Sequence, residues 1–241
     1  MNTEQDRDDA LEAWWQQMLP GLEAGDAPAV IDLIQSIDDD RQRREIYALA
    51  QRAMAGREWP GKSLDLPMEV AQAGIAEGLR QAEAAEDPAT AAALTDFANV
   101  LSYNLSADLA DCWPGDELPR EPRHFEAGRR AAEDCLRWRR RLEKGPIPFA
   151  IAHWALGIHQ ISLGDREGAR GSFQDSFDRS REAARAEGAT DEVGPEGTFH
   201  VNLASGYLGI AEAAAGDSQG KTRYEGAIEA FETQAREVPD K

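Results

Sequence analysis

Residues 156–173 read LGIHQISLGDREGARGSF, and this stretch decides the fold because its landmarks recur in 208–231, LGIAEAAAGDSQGKTRYEGAIEAF. Leu156-Gly157 returns as Leu208-Gly209, Gly164-Asp165 as Gly216-Asp217, Glu167-Gly168-Ala169 as Glu225-Gly226-Ala227, and Phe173 as Phe231. The spacing predicts a helix, a tight Gly-Asp turn and a second helix in each copy. Gly164 and Gly216 suit the left-handed conformation that closes a helix, and Asp165 and Asp217 can accept the free N–H groups that open the next. Gly157 and Gly209 fall mid-helix, where glycine costs about 1 kcal/mol relative to alanine, so another backbone is expected close by. Ala169 and Ala227 are the expected neighbours, with Phe173 and Phe231 one turn further on to fill the groove between paired helices. Units of this kind bury their apolar faces against one another, and such architectures usually bind other proteins.

These residues resemble the tetratricopeptide repeat (TPR). Leu156, Gly157, Gly164, Ala169 and Phe173 stand at the family's spacing, and Leu208, Gly209, Gly216, Ala227, Phe231 and Pro239 do so once six extra residues are allowed around Ser218–Arg223. The copies lie 52 residues apart, against about 34 in the family, and Gln160 and Glu212 stand where a Tyr is usual. A weaker, earlier copy runs from Leu105-Ser106 through Glu126-Ala127-Gly128 to Ala132. The resemblance implies an all-α fold, a TPR-like α-solenoid of irregular helical hairpins over 87–241, preceded by an N-terminal helical cap over 1–86. It also implies that the first helix of each pair lines a concave surface, with Ile151, Trp154, Ile158 and Ile161 from one repeat and Leu203, Tyr207 and Ile210 from the next. The basic and Asn residues of the family's carboxylate clamp are absent, which argues against recognition of a chaperone's C-terminal carboxylate. An apolar strip suits an amphipathic helix or an extended apolar peptide. The same residues suit a covered core equally well, since Trp and Tyr are favoured in both settings.

Breakers and periodicity place the helices. They are expected over 5–18, 28–37, 39–54, 67–85, 88–112, 123–144, 148–163, 166–187, 196–215 and 222–237. Gly56–Leu66 (GREWPGKSLDL) and Trp113–Pro122 (WPGDELPREP) are the clear breaks, and 188–197 links the two good repeats. Trp14 and Trp15 point about 100° apart on a helix, so only one of them fits the centre of a narrow core stripe.

The 241 residues suffice for a sizeable helical core, and no apolar run approaches the ~18 residues of a membrane span. The acidic start, Met1–Asp9, is unlike a secretory signal. Cys112 and Cys135 lack C-x-x-C spacing and read as thiols in a reducing cytoplasm. A net charge of −19 argues against a general nucleic-acid surface, because phosphates would be repelled. Residues 1–40 carry eleven acids and one base, whereas 120–144 carry eight Arg and one Lys against five acids. Arg137, Arg140 and Arg141 in the RWRRRLEK run are candidates for an anionic ligand, set against a solvated face paired with nearby carboxylates. Four lysines against 22 arginines also fit salt adaptation, in which acidity serves solubility.

Catalytic and metal patterns are missing from the sequence. His153 and His159 lie six apart on different helix faces, so neither can complete an H-E-x-x-H site, and His124-Phe125-Glu126 lacks the C-x-x-C that a zinc deaminase requires. No phosphate loop or nucleophile elbow appears. His159 and His200 are the histidines within reach of Glu212, with a structural role as the simpler reading. The expectation is therefore a cytoplasmic, non-catalytic protein–protein interaction module without cofactor or metal. Its partner-binding residues are Trp154, Ile158, Ile161, Leu203, Tyr207 and Ile210, and its partner is a protein or peptide, or a second copy of the chain. The alternative is a helical sensor that holds a small apolar or anionic molecule in the concave pocket.

Overall fold

The computed structural model describes residues 4–237, with side chains from Glu12 to Arg236. Within these bounds the chain is all helical, with ten helices and no strand. They are α1 (Glu4–Ala24), α2 (Ala27–Gln35), α3 (Asp40–Gly56), α4 (Asp65–Ala84), α5 (Pro88–Asp108), α6 (Pro122–Arg141), α7 (Pro146–Ser162), α8 (Arg166–Ala186), α9 (Phe199–Ala214) and α10 (Ser218–Glu237). Part of the acidity goes into starting them. Asp26, Asp39, Asp87 and Asp165 each accept the amide three residues on, at 3.0, 2.6, 2.8 and 2.9 Å, and satisfy donors that a helix start leaves free. Thr198 does the same for α9.

The chain divides into two compact units. The first runs to Leu109 and takes in Trp113–Ala127; the second joins Ala110–Cys112 to the chain from Gly128 onward. The sequence boundary at Asp87 therefore differs from the boundary of the units, since α5 belongs with the first. In that unit α4 and α5 form a hairpin, with α1, α2 and α3 packed beside it. Its core gathers Trp15, Met18, Ile34, Tyr47, Met54 and Leu101, and Trp14 packs against the same cluster half-buried. Arg57 lies over the Trp15 ring, which meets Trp59 edge-on at 5.8 Å.

In the second unit α7 pairs with α8, α8 with α9 and α9 with α10, while α7 also touches α9. The helix ends recur at the 52-residue offset without any insertion: α7 and α9 end at Ser162 and Ala214, and α8 and α10 start at Arg166 and Ser218. The turn glycines Gly164 and Gly216 have φ of 84° and 87°, the left-handed conformation that a side chain would strain. This corrects the alignment that placed six extra residues around Ser218–Arg223. Nothing there breaks a helix, so α10 begins directly after Asp217 and carries Ala227 and Phe231 further along. Ala227 faces Gly206 instead of Gly209, and Phe231 meets Phe199 at 5.6 Å. Gly209 lies against the backbone of Gly220 and Tyr224. Pro239, the last residue of the family pattern, lies outside the described residues.

The end of α5 at Asp108, four residues before the expected Cys112, also has a physical cause. Trp113 Nε1 donates to the Ala107 carbonyl at 2.7 Å, and the Arg120 guanidinium donates to the carbonyls of Leu109 and Asp108 at 3.2 and 3.4 Å. Side chains from the following loop thus take up carbonyls that another helical turn would have used.

Candidate functional site

The strip of residues expected to receive a partner is assembled in the second unit around three aromatic rings. Trp154 of α7 meets Tyr207 of α9 edge-on at 5.7 Å, and Tyr207 stacks on Phe173 of α8 at 5.5 Å with an angle of 29° between the planes. Such pairs add about 0.5–1.5 kcal/mol beyond the area they bury. Burial, and then the Cys112 thiol beside it, push the Tyr207 phenol up to about 12, so it stays protonated and neutral through the physiological range. Trp154 and Ile158 are buried, Ile161, Leu203 and Tyr207 are half-buried, and Ile210 is exposed. Leu203, Tyr207 and Ile210 follow at i, i+4 and i+7 and so share one face of α9. The strip therefore grades from packing at α7 to an open edge at Ile210.

The arginines lie elsewhere. Arg137, Arg140 and Arg141 stand exposed on α6, where Arg137 pairs with Asp134 at 2.8 Å and lies over the Trp138 ring. Arg139, not singled out from the sequence, is the buried member and donates to the Pro148 carbonyl. The histidines are tied into packing. His159 is fully buried with its ring against Gly128 of α6. His153 lies 3.6 Å from Asp175, and burial lowers its pKa despite that carboxylate. Glu212 instead pairs with Arg223 at 2.9 Å. Among the described residues no group of three or more His, Cys, Asp or Glu could hold a metal ion, and no helix is long and apolar enough to cross a membrane.

No family model, no curated protein and no solved structure matches the chain.

The first unit contains a cleft of about 730 Å³ that sequence reasoning missed. Its walls include Glu58, Lys62, Asp108, Trp113 and Asp116. Burial and the neighbouring Asp116 raise the Asp108 carboxyl to about 7. Asp116 is also partly buried, but it accepts from Arg120 at 2.5 Å and from the Leu118 amide at 3.1 Å, and these bonds hold its pKa below the ordinary range. Two carboxyls in one cleft thus differ in charge near neutral pH: Asp116 is ionised and Asp108 is poised to exchange a proton. Lys62 is committed to the Arg57 carbonyl at 2.7 Å and to Glu58 at 3.0 Å. Chemically the cleft can accept a cation beside the exposed Trp113 ring. The sequence signal was the WPGDELPREP break itself, whose Trp113 and Arg120 turn back onto the end of α5.

Proposed function

We propose that the chain is a non-catalytic interaction module, with a TPR-like stack of hairpins in the second unit and a helical cap before it, that works in the cytoplasm. A partner's helix or peptide docks along the α9 strip and finishes the packing that Trp154, Phe173 and Tyr207 begin. One observation carries this reading. Leu203, Tyr207 and Ile210 present a continuous apolar face that passes from half-buried to exposed on a helix anchored by stacked rings. A partner's amphipathic helix meets such a face with apolar anchors of its own at i, i+3, i+4 and i+7.

The test is capture of a partner from native lysate by wild-type chain and by Ile210→Glu, with Arg137→Ala as control. A protein retained by wild type and by the control, but lost from an Ile210→Glu chain of unchanged melting temperature, supports the strip. Equal retention by all three, or no specific protein at all, contradicts it.

A second reading, storage or sensing of a small molecule, is favoured by the cleft beside Asp108 rather than by the arginine run. The carboxyls and the open indole there suit an organic cation, not an anion. Native mass spectrometry of the purified chain distinguishes the two readings by the presence or absence of a bound small molecule.

A further inference from the structure

The two hairpins of the second unit share helix boundaries at an offset of 52 residues, yet equivalent positions are covered unequally. Ile158, Ser172 and Ser176 of α7 and α8 are 5, 7 and 2 % exposed. Their counterparts in α9 and α10, Ile210, Tyr224 and Ile228, are 39, 40 and 39 % exposed. The first hairpin has α9 against both its helices. Among the described residues α10 packs extensively on α9 alone. The substitutions run in a telling direction as well, since two buried serines are replaced by an exposed Tyr and an exposed Ile. Tyr224 and Ile228, one turn apart on α10, share a face, and with Ile210 they expose large apolar side chains at positions that are buried in the first hairpin.

We infer that the α9–α10 face centred on Ile210, Tyr224 and Ile228 docks an amphipathic helix with basic flanks. The seating of α9 on α7 and α8 supplies the template, a helix laid across a hairpin. Charge selects among occupants. Lys221, Arg223 and Arg236, the bases of α10, are each paired with a carboxylate, Glu225, Glu212 and Glu232, at 3.6, 2.9 and 3.3 Å. The chain carries −19 overall, so a second copy would meet like charge while a basic helix is drawn in. This inference rests on the reading of the chain as a helix-docking module but names a second face, one the α9 strip shares only through Ile210.

The probe is a dye-labelled synthetic 18-residue helix with leucines on one face and Lys and Arg flanking them, with an acidic twin carrying Glu in their place. Fluorescence anisotropy is read at about 0.15 M salt, where surface charge is screened beyond ~8 Å. The competing chain is Tyr224→Ser/Ile228→Ser, which installs the residues found at the matched positions of α8, and its melting curve establishes folding. Binding of the basic helix that weakens at least about tenfold in the folded double variant, with no binding of the acidic twin, is the expected result. Equal binding by wild type and variant overturns the face while leaving the α9 strip to its own capture assay. Absence of binding, or equal binding of the acidic twin, overturns the inference. Concentration-dependent dimerisation abolished by the same double variant overturns it in favour of a second copy.

Discussion

A Cβ built on Gly157 would lie 2.6 Å from the ring of Phe173, so α7 and α8 approach over a glycine with the phenyl ring filling the space of its missing side chain. The same device recurs in the first unit, where a Cβ on Gly78 of α4 would lie 2.7 Å from the Phe97 ring of α5. In the α9–α10 hairpin the approach is closer still, glycine on glycine at Gly209 and Gly220. Bare helix surface against a ring or another glycine is thus how these hairpins close.

Gly157→Ala destabilises the chain by roughly 1–3 kcal/mol through overpacking, which outweighs the helix-propensity gain of about 1 kcal/mol. Phe173 is fully buried and cannot swing aside. Chemical denaturation measures the loss. Combining the change with Phe173→Leu recovers part of it, so the two sites couple; strict additivity would show that the ring and the glycine are not in conflict.

Glu77 holds four polar contacts in the first unit. Arg80 reaches it at 2.8 Å, Gln81 at 2.5 Å and Arg43 at 2.8 Å, and these bonds, Arg80 foremost, hold its carboxyl down to about 2 against the cost of burial. A folded pKa below the unfolded value of about 4.3 means the stabilisation is complete above that pH and disappears as pH falls toward 2. Glu77→Gln destabilises by about 2 kcal/mol at pH 7, since it removes the buried charge that Arg43 and Arg80 share and leaves Arg43 only the exposed Asp40. The deficit narrows in acid, which thermal melts from pH 7 to pH 3 register.

Asp108 acts in the opposite sense. Its folded pKa of about 7 lies above the unfolded value of about 4, so the folded chain binds the proton more tightly. Its contribution to stability therefore falls as pH rises from about 4 to about 7 and is constant beyond. Asp108→Asn stabilises the chain at pH 8, by of order 1–3 kcal/mol, and makes no difference near pH 4. A variant less stable than wild type at pH 8 would mean that the ionised carboxylate has a favourable partner.

Added salt stabilises the chain, because screening relieves the self-repulsion of a net charge of −19. Many of its ion pairs are exposed contacts three or four residues apart, such as Arg41 with Glu45 and Arg129 with Glu133, each worth little in water. Melting temperature rises with sodium chloride on this account. A fall would make the ion pairs net contributors.

Much of the architecture was legible locally. Gly164-Asp165 and Gly216-Asp217 mark the turns within the α7–α8 and α9–α10 hairpins, and Asp39, Asp87 and Asp165 announce helix starts by their own chemistry. The partner of a mid-helix glycine was not legible, because it depends on how two helices slide past each other. Motif matching brought Ala227 and Phe231 into line at the cost of a six-residue insertion, whereas the chain kept a continuous helix and let Gly209 meet Gly220. The end of α5 escaped notice for a similar reason. Its caps, Trp113 and Arg120, come from a loop that turns back, and no pattern within α5 announces them. Asp108 acquires its unusual proton affinity only when that loop folds over it. Among the candidate site residues, Trp154 and Tyr207 do meet, but the burial of Trp154 and Ile158 and the exposure of Ile210 follow from packing that periodicity alone could not rank.

Hydrogen–deuterium exchange on the chain, with and without a captured protein, reads out directly whether α9 is the docking element. Slowed exchange along α9, from Leu203 to Ile210, with the cleft around Asp108 unchanged, is the expected result. Protection confined to the 108–118 segment, with α9 unaffected, would contradict it and move recognition to the first unit.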